Sequence, residues 1–169
     1  MKKILILTLT LFTLFSQMNA QIITDRPDVT ESSSVIPKSS FQIESGMVMQ
    51  KSDELQNSPL HVLAPSTLFR FGISKYFELR LFSQYQNDFS FRDFSFPSIS
   101  SGFNDIEVGT KIQLFKKEGS RTEIAFVTHL LIPTGTENFS NNEYTSINKV
   151  SVSHGITDFL GIGYNIGYV

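Results

Sequence analysis

Residues 106–132 read IEVGTKIQLFKKEGSRTEIAFVTHLLI, and their alternation decides the fold. Ile106, Val108, Thr110, Ile112 and Leu114 take every second position, with Glu107, Gly109, Lys111 and Gln113 between them. After a turn at Lys117-Glu118-Gly119 the pattern resumes. Ile124, Phe126, Thr128, Leu130 and Ile132 alternate with Glu123, Ala125, Val127, His129 and Leu131. Successive side chains of a strand point to opposite faces, so each segment is a strand with one apolar face and one mainly polar face. The short polar link with its glycine makes the two an antiparallel hairpin.

The same period recurs on both sides of this hairpin. It begins at Phe41, Ser66, Phe77, Lys149 and Leu160, the segment from Lys149 being the weakest. That makes about seven strands, most of ten or so residues, where ordinary strands have about 5–6. A strand that crosses a bilayer at a tilt needs about 9–11. The connections fall near 51–59, 73–76, 87–104, 116–120, 133–146 and 155–158, in the order long, short, long, short, long, short. Transmembrane barrels alternate tight turns on one side with longer loops on the other, whereas a soluble sandwich has no reason to. No segment keeps a 3.6-residue period with caps, and no helix is expected after residue 20.

The polar face carries Glu44, Arg70, Glu78, Arg80, Glu107, Lys111, Glu123, His129 and Lys149, interrupted by Leu68, Phe82, Val127 and Leu131. Lipid outside and a polar lumen inside would account for it, and so would an apolar core with a wet exterior. Strand length, loop order and export favour the first. Phe41, Tyr76, Phe77, Tyr85, Phe159 and Tyr168 near strand ends fit an interfacial aromatic girdle, or else core positions of a soluble barrel. Tight turns place Arg70 beside Glu78 and Lys111 within a diagonal of Glu123. Unpaired buried charge is costly, so these groups form either a charge ladder that fills the interior or a polar pathway for a solute. Gly161, Gly163 and Gly167 share one face of the last strand, where they leave room for a pore or let the sheet curl.

Lys2 and Lys3, the apolar stretch 4–15 and Ala20 describe a secretory signal peptide over 1–20. Its removal would leave 169 − 20 = 149 residues and a charge of 12 − 16 = −4. Residues 21–39, with Pro27 and Pro37, form a turn-rich segment of the periplasm or the lumen, and 40–169 form the barrel portion. Charged residues are 18% of the chain, below the usual quarter, and no apolar run is long enough for a spanning helix. A net charge of −2 gives no reason to expect nucleic acid.

The chain has no Cys, which excludes disulfides, zinc–thiolate sites and thiol nucleophiles. His61, His129 and His154 have no metal-ligand spacing, so neither a metal nor a cofactor is expected. Gly161-Ile162-Gly163 lacks the helix and later glycine of a dinucleotide loop. His129 could face Ser151 or Ser153 as in a hydrolase. One histidine near a serine is common, however, and the expectation is no enzyme.

Several short motifs in order carry a resemblance. They are Thr24-Asp25-Arg26-Pro27-Asp28-Val29-Thr30-Glu31-Ser32, then Phe41-Gln42-Ile43-Glu44-Ser45-Gly46, Arg70-Phe71-Gly72 and Glu78-Leu79-Arg80. Gly102-Phe103-Asn104-Asp105, Gly109-Thr110-Lys111 and Ile132-Pro133-Thr134-Gly135 follow. Together they resemble the bacterial outer-membrane family called "putative MetA-pathway of phenol degradation", in its Bacteroidetes-like form, over 24–169. The resemblance implies an outer-membrane barrel that admits small solutes, with aromatic or hydrophobic compounds among them. It also implies outer-membrane lipid and the barrel-assembly machinery as partners. By residue chemistry, Asp25, Arg26 and Asp28 either pin the N-terminal segment inside the barrel or form, with Pro27, a rigid turn at its mouth. Members continue with further strands, whereas this chain stops within the seventh. Single-chain bacterial barrels have an even strand number. The expectation is therefore an all-β, antiparallel, up-and-down transmembrane barrel that is incomplete, with a soluble periplasmic barrel or a surface or structural role as the alternatives.

Overall fold

A computed structural model describes residues 23–25, 30–51, 59–90 and 98–169. The expected signal peptide and Arg26, Pro27 and Asp28 lie outside the described residues. The strands are β1 (Phe41–Lys51), β2 (Leu60–Ser74), β3 (Phe77–Ser90), β4 (Ser98–Phe103), β5 (Ile106–Lys116), β6 (Thr122–Ile132), β7 (Thr145–Gly155) and β8 (Gly161–Tyr168). All pairings are antiparallel between chain neighbours, except that β3 pairs with both β4 and β5. The sheet curls into an incomplete barrel with β1 and β8 at its two ends. No helix occurs among the described residues.

Among the described residues the sheet has seven strand positions, because β4 and β5 are one strand with a break. β4 runs beside residues 85–90 of β3 and β5 beside residues 77–82. At the break the Asn104 amide still donates to the Gln84 carbonyl at 3.0 Å, which keeps the register. The connection expected over 87–104 is therefore shorter, because β3 and β4 continue as a paired hairpin to Ser90 and Ser98. The order of long and short connections holds, with tight turns at 75–76, 117–121 and 156–160.

The sheet buries its polar side. Glu44, Arg70, Glu78, Arg80, Lys111, Gln113, His129 and Ser151 are all buried, joined by only a few apolar side chains such as Leu68, Ala125 and Val127. Phe41, Ile43, Phe71, Leu79, Leu81, Val108, Leu130, Ile162 and Ile166 are exposed on the opposite side. Two expected contacts change with the register. Lys111 stands opposite Val127, four residues from Glu123, and Glu123 is opposite Lys116 instead, with a 3.0 Å ion pair. His129 faces Ile147, while Ser151 and Ser153 face Ala125 and Glu123, so the His–Ser pairing expected for a hydrolase does not form.

Candidate functional site

Residues 23–25 and 30–40 form a strap that lies on the polar inner face and enters β1 from the tight-turn end. Its geometry begins at Gly72 of β2. Ser39 donates its backbone N–H to the Gly72 carbonyl at 2.7 Å, and Gly72 donates to the Ser40 carbonyl at 3.0 Å. A Cβ at residue 72 would sit 2.0 Å from the Pro37 carbonyl oxygen, so only glycine lets the strap pass.

From there the strap is tied to the strands by hydrogen bonds. The Ile36 amide donates to Glu78 Oε2 at 2.8 Å, and Ser34 Oγ donates to Glu123 Oε2 at 2.5 Å. The Ser33 and Ser153 hydroxyls are 2.6 Å apart. Glu31 pairs with Arg80 at 2.9 Å and with Lys149 at 3.1 Å.

Asp25 is the centre of the arrangement and is almost wholly buried. Its Oδ2 accepts from Lys111 Nζ at 2.5 Å and from an Arg80 guanidinium nitrogen at 2.6 Å, and Arg70 lies at 3.4 Å. Its Oδ1 accepts from the Ser32 amide, and its own amide donates to Glu44 Oε2, each at 2.7 Å. Arg70 in turn forms a two-pronged pair with Glu78, both contacts at 2.9 Å, and donates to Glu44 at 2.9 Å. Three carboxylates (Asp25, Glu44, Glu78) thus balance three cations (Arg70, Arg80, Lys111) where each is buried. A buried charge is tolerated only when paired and hydrogen-bonded, and this cluster meets both conditions.

His129 extends the network toward the long-loop end. Its Nε2 accepts from Arg80 Nε at 3.0 Å, which leaves the proton of the neutral ring on Nδ1. Nδ1 then donates to Glu107 Oε2 at 2.8 Å. Both ring nitrogens are thereby engaged. Gly109, opposite on β5, makes room for the ring, since a Cβ there would lie 2.2 Å from His129 Cδ2.

All nine residues singled out on the polar face are thus placed. Glu44, Arg70, Glu78, Arg80, Lys111, His129 and Glu107 form one connected network. Lys149 joins it through Glu31, and Glu123 holds the strap near the tight turns. Sequence reasoning missed Ser33, Ser34 and Ile36, whose only signal was a run of small polar residues before Pro37. Asp105, at the break between β4 and β5, entered only as part of the Gly102-Phe103-Asn104-Asp105 motif, without a role. The Asp105 carboxylate accepts from the amides of Thr134, Gly135 and Asn141 at 3.1, 2.9 and 2.9 Å, docking the 133–144 connection over the inner face. Burial opposes its charge, yet these amides and the Ser140 hydroxyl hold it below the ordinary carboxylate range.

Beyond the strap, the inner face leaves two adjoining cavities. One of about 370 Å³ is lined by Asp25, Glu31, Arg80, Glu107, His129 and Lys149 together with Leu68, Phe82, Val127 and Ile147. The four apolar side chains are neighbours here, and three of them are interruptions of the polar face noted in the sequence. The other cavity, of about 320 Å³, lies at the long-loop end under residues 138–141. No group of three or more His, Cys, Asp or Glu able to hold a metal occurs among the described residues.

No curated protein and no solved structure matches the chain. The family described as "Putative MetA-pathway of phenol degradation" matches residues 24–169, nearly the whole chain, and the protein belongs to that family.

Proposed function

We propose that the chain is exported and forms part of an outer-membrane barrel that passes small solutes along its polar inner face, with the strap as a partial plug. One observation carries the reading: the charges are buried together on the inner face, while large apolar side chains are exposed around the outside. Leaving a Leu, Ile or Phe in water rather than burying it forgoes roughly 1.5–3 kcal/mol apiece. A whole face of them outweighs a typical folding free energy of about 5–15 kcal/mol, so this face needs an apolar surround such as lipid. β5, β6 and β7 have 11 residues each, enough for a tilted crossing. The family description makes aromatic compounds one class of solute to test.

Catalysis has less support in the same geometry. His129 is committed to Arg80 and Glu107, and no serine is hydrogen-bonded to it among the described residues. The reading is tested by fractionating cells and running the purified protein with and without heating. Recovery in the outer-membrane fraction, a heat-dependent mobility and solute-driven swelling of loaded liposomes are expected. A protein found wholly in the soluble periplasm would overturn it.

A further inference from the structure

The cavity at the long-loop end differs in chemistry from the charged region below it. We infer that it is a binding site for a small neutral molecule bearing several hydroxyl groups. This rests on the reading of the inner face as a solute path.

One acceptor in the cavity wall is buried without a donor among the described residues. Asn104 Nδ2 donates to Gln84 Oε1 at 2.9 Å and to Gln86 Oε1 at 3.2 Å. These two bonds fix the orientation of the amide, and its Oδ1 is buried without a partner among the described residues. Glu107, whose Oε2 is engaged by His129, adds a partly exposed carboxylate to the same wall. A buried acceptor left unpaired costs about 1–3 kcal/mol, so a ligand that brings a donor to Asn104 relieves a cost already present. Hydroxyl groups supply such donors.

Charge narrows the class. No Lys or Arg lines this cavity among the described residues, so an anion finds no counter-charge. Of its two carboxylates, Asp105 is saturated by the amides of Thr134, Gly135 and Asn141, and Glu107 is held by His129. Much of the remaining wall is amide, from Gln84, Gln86, Asn138 and Asn141, able to donate and accept in turn. Leu131 and Phe139 add apolar surface for the C–H face of a ring. The volume, about 320 Å³, is at the small end of ligand pockets, which suits one or two rings.

The test titrates the full chain, folded in detergent micelles, with four probes: glucose, its cationic analogue glucosamine, its anionic analogue gluconate, and phenol with one hydroxyl. Saturable glucose binding tighter than that of the other three is expected. Asn104→Leu should weaken it roughly three- to tenfold. Asn138→Ala, on the connection and away from any strand, should weaken it about threefold without touching the fold. Tighter binding of phenol, gluconate or glucosamine, or glucose binding unchanged in both variants, would overturn the proposal. Liposome swelling with glucose separates the two readings. Binding without swelling supports the site and counts against the channel, and swelling without saturable binding does the reverse.

Discussion

The Asp25 carboxylate lies 2.5 Å from the Lys111 ammonium, across 86 residues of chain, and neither side chain reaches solvent. This contact fastens the strap to the middle of the sheet. Because Arg80 and Arg70 also face Asp25, removing its charge leaves buried cations facing one another. Asp25→Asn is expected to cost about 3–5 kcal/mol in urea unfolding from micelles. Asp25→Asn combined with Lys111→Met should cost less than the sum of the single variants by more than about 1 kcal/mol. Additive costs would mean that the two groups do not touch.

Gly72→Ala tests the path of the strap. The new methyl would meet the Pro37 carbonyl at 2.0 Å, and backbone cannot yield as a side-chain tip can. A loss of about 1–3 kcal/mol is expected, together with faster proteolysis of residues 30–40. At Gly161 the nearest atom is 3.6 Å away, so Gly161→Ala should be nearly neutral and serves as the control.

Leu81→Lys tests what surrounds the sheet. Leu81 is 40% exposed on the apolar side. In lipid a lysine near mid-depth costs about 2–4 kcal/mol, read as weaker folding into phosphatidylcholine vesicles. In water the same substitution should change stability by no more than about 0.5 kcal/mol, and that result would count against the membrane reading.

Asp105 sets a pH dependence at the long-loop end. A carboxyl whose folded value is lowered stabilises the folded form above its unfolded value, and that contribution is lost as pH falls through the lowered one. The 133–144 connection should therefore stay docked at neutral pH and loosen in acid, below the ordinary carboxylate range. Amide hydrogen exchange of Thr134, Gly135 and Asn141 followed against pH reads this directly. Asp105→Asn should loosen the connection at neutral pH and flatten its acid response.

Strands, their alternation and the polar face were legible in the sequence because period 2 is a local property of consecutive residues. Arg70 and Glu78 were also legible as a pair, since a tight turn fixes their separation. The partner of Lys111 was not. Its register put it opposite Val127, and its carboxylate comes from Asp25 on the strap, a contact that no strand pattern encodes. The break at Asn104-Asp105 was hidden for a related reason. Its role follows from amides of the 133–144 connection, which meet it only after the sheet has curled. His129 was recognised as a polar-face residue, but its commitment to Arg80 and Glu107 depends on Gly109 standing opposite.

The strap on the inner face is the central claim, and the contact between Ser33 and Ser153 tests it most directly. Their hydroxyls are 2.6 Å apart, and the chain has no cysteine of its own to interfere. Ser33→Cys with Ser153→Cys, oxidised mildly in the folded protein, should form one intramolecular disulfide in nearly all molecules, seen as a mobility shift that reductant reverses. Two thiols that both remain open to a maleimide, with no shift after oxidation, would contradict the account.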